Sequence, residues 1–451
     1  MSSLVLFTRD LRVRDHPALD AAARTGDACV PLFVLDPALT RRSPNRTRFL
    51  LESLGDLDAS LGRLGSPLVV REGDVVARTL DVVAEANVSD VHISSDVGET
   101  AQRREATLRE ALAAHGVGFH VHPGNAVVDP GEVAPPGKHV YAVFTPYHRA
   151  WSQAPRRAVL ASPGRLRPDT AIDPGPRPDA SGVRPDSPEL PPGGETAARS
   201  RLESFLARDV ERYADLRNDL AADATSRLSA YLRFGCVSAN EVVVRAGAAG
   251  AGELVRQVAW RDFYRQLLAH DPSLVRRDFR TPPDDVPPLP ERADDALEAW
   301  KLGRTGIPLV DAGMRQLRRE GFMHNRARMV TASFLTRRLG IDWRQGAAHF
   351  FRWLVDGDPS NNSGGWQWVA GTGTDPRRSR SFNPVRQAER FDPDGAYVRR
   401  YVDELADVPA PRIFAPWWDE DLLAATGYPP PIVDLPSTKL KGRPANELTL
   451  L

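Results

Sequence analysis

The first residues whose types could do chemistry lie in segment 224–235, Ala-Thr-Ser-Arg-Leu-Ser-Ala-Tyr-Leu-Arg-Phe-Gly. Thr225 and Ser226 stand where a helix is predicted to begin. Their hydroxyls and the free backbone N–H groups of a first helical turn could bind the phosphates of a ligand. The same residues are also typical of an ordinary helix cap, and taken alone the segment favours the cap.

A second segment places polar and aromatic side chains together on a predicted helix. Gln257, Trp260, Arg261 and Tyr264 follow one another at spacings of three, four and seven, which puts them on one helix face. Because buried polar groups need hydrogen-bond partners, a glutamine and an arginine beside Trp260 favour a polar cleft over a plain apolar core.

A third segment, residues 323–329, combines an amide with guanidinium groups. The helical spacing predicts that Asn325 and Arg328 share one face, whereas Arg326 and Met329 point elsewhere. An amide beside a guanidinium suits a polar redox-active ring or its phosphates, although each residue alone is more often a structural contact.

A fourth segment, residues 356–368, carries the carboxylates of Asp356 and Asp358 and two tryptophans. No histidine or third carboxylate stands at ligand spacing, so we expect no metal there. The carboxylates can instead accept hydrogen bonds from an amine, a ribose or a ring N–H. Trp366 and Trp368 bracket Gln367 and offer a stacking surface for bases.

The elements that must position these segments change in character along the chain. Apolar, β-branched runs at 3–8, 30–35, 67–71, 91–94 and 117–121 alternate with helical patterns, which predicts a parallel α/β sheet. A Pro- and Gly-rich stretch follows, and helical patterns dominate beyond Thr196. We predict an α/β domain with a parallel sheet (1–125), a long connector (126–197) and a mostly helical domain (198–451).

Composition excludes several classes of protein. The 451 residues carry no net charge, but nine arginines and only three acidic residues lie between Val310 and Arg352, a footprint that suits nucleic acid. The two cysteines, Cys29 and Cys236, form no metal-ligand spacing or disulfide framework, which fits a reducing cytoplasm. No stretch approaches the roughly 20 apolar residues of a membrane span.

Taken together, these segments resemble the photolyase/cryptochrome family over nearly the full length of the chain. The opening Phe-Thr-Arg-Asp-Leu-Arg-Val-Arg-Asp-His-Pro-Ala-Leu is similar to that family's N-terminal strand and turn. The runs at 224–235, 257–264, 309–329 and 356–375 are similar to its flavin-domain signatures. The resemblance implies a Rossmann-like α/β antenna domain, a long connector and an all-helical FAD-binding domain. It also implies light-dependent repair of cyclobutane pyrimidine dimers in DNA.

The resemblance also implies roles for individual residues. Asn362 would face the reactive flavin nitrogen, and plant-type cryptochromes carry an aspartate at that position. The positions matched to FAD contacts are Tyr213, Thr225, Ser226, Leu228, Ser229, Arg261, Asn325, Arg328, Asp356, Asp358 and Asn362. The positions matched to the dimer pocket are Gln257, Trp260, Asn325, Met329 and Trp368. The positions matched to DNA-phosphate contacts are Arg217, Arg326 and Arg380.

Two departures from the family pattern affect the chemistry. Gln257 stands where dimer photolyases often have a glutamate. The (6-4) photolyases tend to have a glutamine there, but they need histidines at the two positions where this chain has Asn325 and Met329. The relay that photoreduces the flavin is normally three tryptophans. Trp366 and Trp343 match the inner two, and the outer position falls near Pro290 with no tryptophan. Photoreduction is therefore expected to be slow or rerouted, with Trp353 or Trp300 as substitutes.

The resemblance further implies an antenna chromophore, with Arg46 and Asp96 at positions that contact deazaflavin-type antennae. A deazaflavin is favoured over methenyltetrahydrofolate, although the sequence does not decide between them. We expect a cytoplasmic bacterial monomer that acts on DNA at the nucleoid and has no membrane or obligate protein partner.

Two other functions stay open at this point. A cryptochrome-type blue-light photoreceptor would share the FAD site but lack repair, and Asn362, Trp260, Trp368 and Met329 favour the enzyme over it. A nucleotide-binding transferase would rest on the α/β half alone, which lacks a phosphate loop.

Overall fold

The computed structural model of the chain describes residues 2–375 and 381–434, which form two compact units. The first unit contains residues 2–215, 224–277 and 350–364, and the second contains 216–223, 278–349, 365–375 and 381–434. The domain boundaries that the sequence predicts at residues 125 and 197 stay a prediction.

A parallel sheet forms the centre of the first unit. Its strands are β1 (Ser2–Phe7), β2 (Ala28–Leu35), β3 (Val69–Glu72), β4 (Val88–Ser94), β5 (Gly118–His122) and β6 (Arg167–Pro168). They run in the order β3-β2-β1-β4-β5, and β6 pairs with β2. Every residue of β1 is buried, as expected for a central parallel strand covered on both faces. The predicted Rossmann-like sheet is confirmed.

Helices flank this sheet and continue through the rest of the first unit. They are α1 (Pro17–Arg24), α2 (Pro37–Thr40), α3 (Pro44–Leu64), α4 (Val75–Glu85), α5 (Glu99–Ala114), α6 (Phe144–Gln153), α7 (Glu195–Arg208), α8 (Tyr213–Leu216), α9 (Ser229–Phe234), α10 (Ala239–Ala248) and α11 (Gly252–His270). Their boundaries follow local chemistry. The Ser43 side chain caps α3, with Pro44 at the first helical position, and Gly65 ends that helix with a φ of 107°.

The Pro- and Gly-rich stretch 163–194 lies on the first unit and contains β6 as its regular element. It is hydrogen-bonded to α3 at both ends. Leu166 donates its N–H to the carbonyl of Leu64 at 2.7 Å, and Gly194 donates to the Ser53 hydroxyl at 3.0 Å. The segment is therefore an anchored surface connection, in which α3 satisfies part of the exposed backbone.

The C-terminal half is largely helical, which confirms the prediction from the sequence. Its helices are α12 (Ala293–Leu302), α13 (Pro308–Glu320), α14 (Asn325–Arg337), α15 (Trp343–Trp353), α16 (Pro359–Ala370), α17 (Pro384–Phe391), α18 (Ala396–Tyr401) and α19 (Glu420–Thr426). Short 3-10 helices lie at Pro272–Val275, Asp403–Leu405, Arg412–Phe414 and Pro416–Trp418. Within residues 2–375 and 381–434, we find no helix that is both long and apolar enough to cross a membrane.

Helix α13 forms the core of the second unit and is buried along most of its length. Gly313 allows α14 to pack closely on it, because a Cβ at that position would lie 3.0 Å from Cγ2 of Thr331 and 3.2 Å from Cβ of Ala327. This close packing fixes the start of α14, which carries the predicted site residues Asn325 and Arg328.

Candidate functional site

A buried network of opposite charges holds the segment that precedes α16 in the first unit. Arg9 donates hydrogen bonds to Asp358 and, at 3.2 Å, to Asp96. Arg265 donates to the other oxygen of Asp96 at 3.0 Å. Burial alone would raise the pKa of Asp96 and of Asp358. Nearby guanidinium groups, Arg9 foremost, instead hold both pKa values well below their ordinary range.

The same carboxylate of Asp358 caps the first turn of α16. One of its oxygens accepts hydrogen bonds from the Ser360 hydroxyl, from the backbone N–H of Asn361 at 3.0 Å and from the Asn361 amide at 2.9 Å. Asn362 donates its N–H to the carbonyl of Asp358 at 2.9 Å and is half-buried, as is Asp356. Asp358 therefore fixes the backbone that carries Asn362, and the predicted flavin contacts of these residues stay predictions.

The expectation that Thr225 and Ser226 begin a helix is wrong. Helix α9 begins at Ser229, because Arg227 has a φ of 52°, in the left-handed region, and the helix cannot extend back through it. The carbonyls of Thr225 and Ser226 accept hydrogen bonds from Arg201 at 2.6 and 2.8 Å. The loop is thus held from behind by an arginine.

The hydroxyl of Thr225 is the feature of this loop that points to a ligand. Its Oγ1 is buried and has no hydrogen-bond partner within the described part of the chain. Buried hydroxyls rarely stay unpaired in native proteins, so a bound polar group would satisfy it. The loop therefore fits a phosphate-bearing cofactor such as FAD, although Thr225 and Ser226 lie ahead of α9 and not in its first turn.

Arg261 lies in α11 with donors left over for a ligand. It donates to the carbonyls of Asn125 at 2.6 Å and Leu232 at 3.3 Å and pairs with Asp262 at 3.4 Å. These contacts use three of the five guanidinium N–H groups. Burial, with the positive charge of Arg265 added, lowers the pKa of Arg261 to about 10, so the group stays cationic at neutral pH.

The aromatic face predicted on α11 is present. The rings of Trp260 and Tyr264 lie 5.6 Å apart, and Gln257 on the same helix is half-buried. Trp260 also stacks on Phe144, with ring centroids 3.7 Å apart and planes 7° apart. One face of the indole is thus covered by protein and held rigidly. Gly364 allows the start of α16 to approach, because the ring of Tyr264 leaves no room for a Cβ there.

The remaining first-unit positions matched to FAD contacts differ in exposure. Tyr213 is buried and meets Phe205 edge-on, with ring centroids 5.4 Å apart. Leu228 is buried, whereas Ser229, the first residue of α9, is exposed. Their proposed contacts stay predictions.

In the second unit, the predicted division of α14 into two faces is wrong in part. The Asn325 amide lies 3.7 Å from the sulfur of Met329, so these two residues share a face. The Arg326 guanidinium also approaches that sulfur, at 4.0 Å. Arg328 donates to the carbonyl of Met323 at 2.8 Å. The cause is geometric, since side chains four residues apart stand one above the other along a helix.

The predicted stacking surface around Gln367 is also wrong in part. Trp366 is buried, with Trp300 edge-on at 6.0 Å, and the ring of Trp366 lies directly on Gly346. Gln367 is buried and accepts a hydrogen bond from the N–H of Phe279 at 2.8 Å. Trp368 is half-buried. Residues two apart on a helix point in nearly opposite directions, so Trp366 faces the core when Trp368 does not.

Positive charge gathers around Arg326 in the second unit. Burial and the positive charges of Arg217 and Arg390 lower the pKa of Arg326, so both of these guanidinium groups act on that of Arg326. Arg326 also donates to the Asn218 amide oxygen at 2.8 Å. The predicted DNA contact Arg380 lies outside the described residues.

The two residues predicted to contact an antenna are both engaged inside the first unit. Arg46 donates to the carbonyls of Phe351 and, at 3.0 Å, Leu354, and burial lowers its pKa to about 10. Asp96 belongs to the network with Arg9 and Arg265 described above. The predicted antenna contacts of Arg46 and Asp96 stay predictions, because the hydrogen bonds of both residues go to other parts of the first unit.

Several residues that contact the predicted site residues could not be identified from the sequence. Arg9 lies in the family's opening motif, but nothing local indicates that it pairs with Asp358, 349 positions away. Phe144, the stacking partner of Trp260, sits in the predicted connector. Asp278 accepts a hydrogen bond from the indole of Trp343 and carries no motif of its own. No group of three or more metal-ligating side chains at metal-binding geometry occurs among residues 2–375 and 381–434.

Comparison with known protein families gives matches to both halves of the chain. The model of the family described as DNA photolyase matches residues 3–165. The model described as the FAD binding domain of DNA photolyase matches residues 254–443.

Individual relatives cover nearly the whole chain. It is 48% identical to the deoxyribodipyrimidine photo-lyase of Streptomyces griseus, over 97% of this chain and 98% of that protein. It is 36% identical to the deoxyribodipyrimidine photo-lyase of Escherichia coli, over 96% and 95% of the two chains. A bacterial class III photolyase structure from Agrobacterium tumefaciens has a TM-score of 0.88 at 31% identity, covering 96% of this chain and 94% of its own. The chain belongs to the DNA photolyase family.

Proposed function

We propose that this chain splits cyclobutane pyrimidine dimers in DNA in a light-dependent reaction, with FAD as its cofactor. The observation that carries the proposal is the 48% identity to a deoxyribodipyrimidine photo-lyase over nearly all of both chains. The rigidly held indole of Trp260 and the unpaired hydroxyl of Thr225 support it, because a lesion and a dinucleotide need such groups.

The chain's own residues would bind and orient the cofactor. When bound in its reduced form and illuminated, FAD supplies one electron to the dimer and takes it back after the ring has opened. The Thr225 hydroxyl and the unused donors of Arg261 would hold its phosphates. Asp358, fixed by Arg9, would keep Asn362 at the flavin ring, where an amide can donate without adding charge.

Other residues would hold the damaged DNA. A lesion must leave the base stack to reach a cofactor, and flipping is an established property of photolyases as a class rather than an inference from this structure. Trp260 offers one free face for stacking because Phe144 covers the other. Gln257 can donate to and accept from the dimer's carbonyl and N–H groups, although it has no acidic proton to give. Arg217 and Arg326 would bind phosphates.

The test is a repair assay on the full chain, loaded with FAD and chemically reduced. An oligonucleotide with one cyclobutane thymine dimer would be illuminated, and the return of thymine absorbance followed against a dark control. An oligonucleotide with a (6-4) photoproduct serves as the substrate control. We expect recovery of the cyclobutane dimer alone, because Asn325 and Met329 cannot supply the acid–base chemistry of histidines.

A matched pair of variants tests the role of Trp260. Trp260→Ala should weaken binding of dimer-containing DNA by about five- to 150-fold, since a stacked base is worth roughly 1–3 kcal/mol. Trp417→Ala, which removes a half-buried tryptophan outside the site, should leave binding unchanged. Failure of the reduced wild-type protein to repair the dimer would refute the proposal and favour a cryptochrome-type photoreceptor.

We also propose an antenna chromophore, with a deazaflavin favoured over methenyltetrahydrofolate, and a monomer that acts on DNA at the bacterial nucleoid without an obligate protein partner. Mass spectrometry of pigment released from the native protein would identify the antenna. Light scattering in the presence and absence of DNA would give the oligomeric state; a stable dimer would contradict the proposal.

A further inference from the structure

Trp343 is the last tryptophan of the relay that the family resemblance predicts. The sequence contains no tryptophan between Trp260 and Trp300, so the usual outer member is missing. Only 4% of Trp343 is exposed. An oxidised Trp343 therefore lacks the usual outer indole as its next electron donor, and the chemical groups that contact Trp343 determine whether it keeps or loses its proton.

The indole of Trp343 has a carboxylate as its hydrogen-bond partner. Its Nε1–H donates to one oxygen of Asp278 at 2.8 Å. The other oxygen of Asp278 accepts from Arg344 at 3.1 Å, and the Asp278 side chain is 25% exposed. Arg344 thus holds the Asp278 carboxylate in position through one oxygen, while the other oxygen faces the indole N–H of Trp343. The carboxylate is also accessible to water.

Trp366, which belongs to α16, packs against the face of α15 that carries Trp343. Gly346 follows Trp343 by three residues, so the two positions share a face. The ring of Trp366 lies so close to Gly346 that a Cβ there could not be accommodated. This arrangement places Trp366 against the helix face that carries Trp343, as a two-member relay requires.

We propose that Asp278 accepts the indole proton of Trp343 when that tryptophan gives up an electron. The proposal rests on the proposed function and on the photoreduction relay that the family resemblance implies, in which Trp366 would give an electron to the light-excited oxidised cofactor and Trp343 would then give one to Trp366. As Trp343 loses one electron, its Nε1–H bond breaks and an O–H bond forms on Asp278. The product is a neutral tryptophanyl radical, which an external thiol reduces with one electron while the proton returns from Asp278.

The surrounding charge favours this transfer. The Arg344 guanidinium lies 4.8 Å from the centre of the Trp343 ring. A cation so close opposes a positive charge on the ring, and loss of the indole proton removes that charge. The partly exposed Asp278 can then exchange its proton with water. Proton loss keeps the electron on the flavin side, because the neutral radical is a weaker acceptor for its return.

The test follows the tryptophan radical by transient absorption after a flash on the FAD-loaded full chain with oxidised flavin. The spectra of the radical cation and of the neutral radical differ. In Asp278→Asn, the amide oxygen can still accept the hydrogen bond from the indole N–H but cannot take up its proton. Deprotonation of the Trp343 radical cation should therefore slow by about a hundredfold. Asp278→Glu should restore it. Asp342→Asn, which removes an exposed partner of Arg344 without touching the indole bond, should leave it unchanged.

A purely structural role for Asp278 predicts a different outcome. Asp278→Asn would then deprotonate at the wild-type rate, and the wild-type rate would not fall in D₂O; either result overturns the inference. A wild-type signal that survives in Trp343→Phe would overturn it too, because the radical would lie elsewhere. Repair by chemically reduced protein is measured alongside. If the chemically reduced protein repairs the dimer while one of these contrary results is found, only the inference about Asp278 is rejected. If the chemically reduced wild-type protein does not repair the dimer, the proposed function is rejected.

Discussion

Arg9 is the residue whose removal should most disturb the buried charge network. In Arg9→Met, the apolar volume is largely kept but Asp96 and Asp358 lose their shared cation. Asp96 keeps its bond to Arg265, so the cost falls mainly on Asp358. Removing one partner of a buried ion pair costs about 3–5 kcal/mol, which corresponds to roughly two to four powers of ten in the unfolding equilibrium. Arg103→Met is the matched control, because the Arg103 side chain is 71% exposed in its pair with Glu99. Such an exposed pair contributes at most about 1 kcal/mol.

The loss of stability in Arg9→Met should depend on pH in a defined direction. In the wild type, the pKa values of Asp96 and Asp358 lie below those of the unfolded chain. Their contribution to stability is therefore complete above the unfolded pKa and is lost as the pH falls through the folded values. In Arg9→Met, the loss of the Arg9 charge raises the pKa values of Asp96 and Asp358 above those in the wild type. Protonation of these carboxylates as the pH falls therefore removes part of the cost of burying their charge. The difference in free energy of unfolding should be largest at neutral pH and smaller near pH 5.

The assay is urea-induced unfolding followed by far-ultraviolet circular dichroism at both pH values, for the wild type and the two variants. The reasoning would be refuted if Arg9→Met lost no more stability than Arg103→Met. It would also be refuted if the loss were the same at neutral pH and near pH 5, because a loss independent of pH indicates packing rather than unpaired carboxylates.

Three further variants probe the cofactor loop, the sheet and the DNA surface. Thr225→Val should leave the melting temperature nearly unchanged and weaken FAD binding, measured by titration of flavin-free protein, by about 10- to 150-fold, as for a lost hydrogen bond to a charged group. Unchanged affinity would remove Thr225 from the site. Burial, with the positive charges of two neighbouring histidines added, lowers the pKa of His92 to about 4. The unfolded chain therefore takes up a proton first, and stability should fall by about 2 kcal/mol between pH 6.5 and 4, after allowance for solvent screening. His92→Gln should flatten this slope in urea titrations, whereas the exposed His115→Gln should not. Arg326→Gln should reduce the slope of log affinity against log salt for duplex DNA by about one, with or without a lesion, and Arg103→Gln should not change it.

Local patterns were sufficient for the elements and the family. The apolar runs of β1, β2 and β4 are buried strands because a central parallel strand needs apolar residues on both faces. Helix α11 begins and ends at the residues that its pattern indicates, Gly252 and His270. The family motifs are also local, since each lies within about twenty residues of continuous sequence. Such features depend on neighbours in sequence, so the sequence by itself determined the sheet, the helices and the kind of cofactor to expect.

The contacts that give individual residues their roles were decided only by tertiary structure. Nothing near Asp358 indicates that Arg9 neutralises it, because two charges pair according to distance in space and not in sequence. The left-handed Arg227 moved the start of α9 away from Thr225, which left that hydroxyl unpaired instead of capping a helix. Trp366 and Trp368 look alike in sequence, but one is buried on Gly346 and the other is half-buried. Trp343 and Asp278 are partners only because folding brings together two residues that lie 65 positions apart, and burial then makes that single hydrogen bond chemically significant.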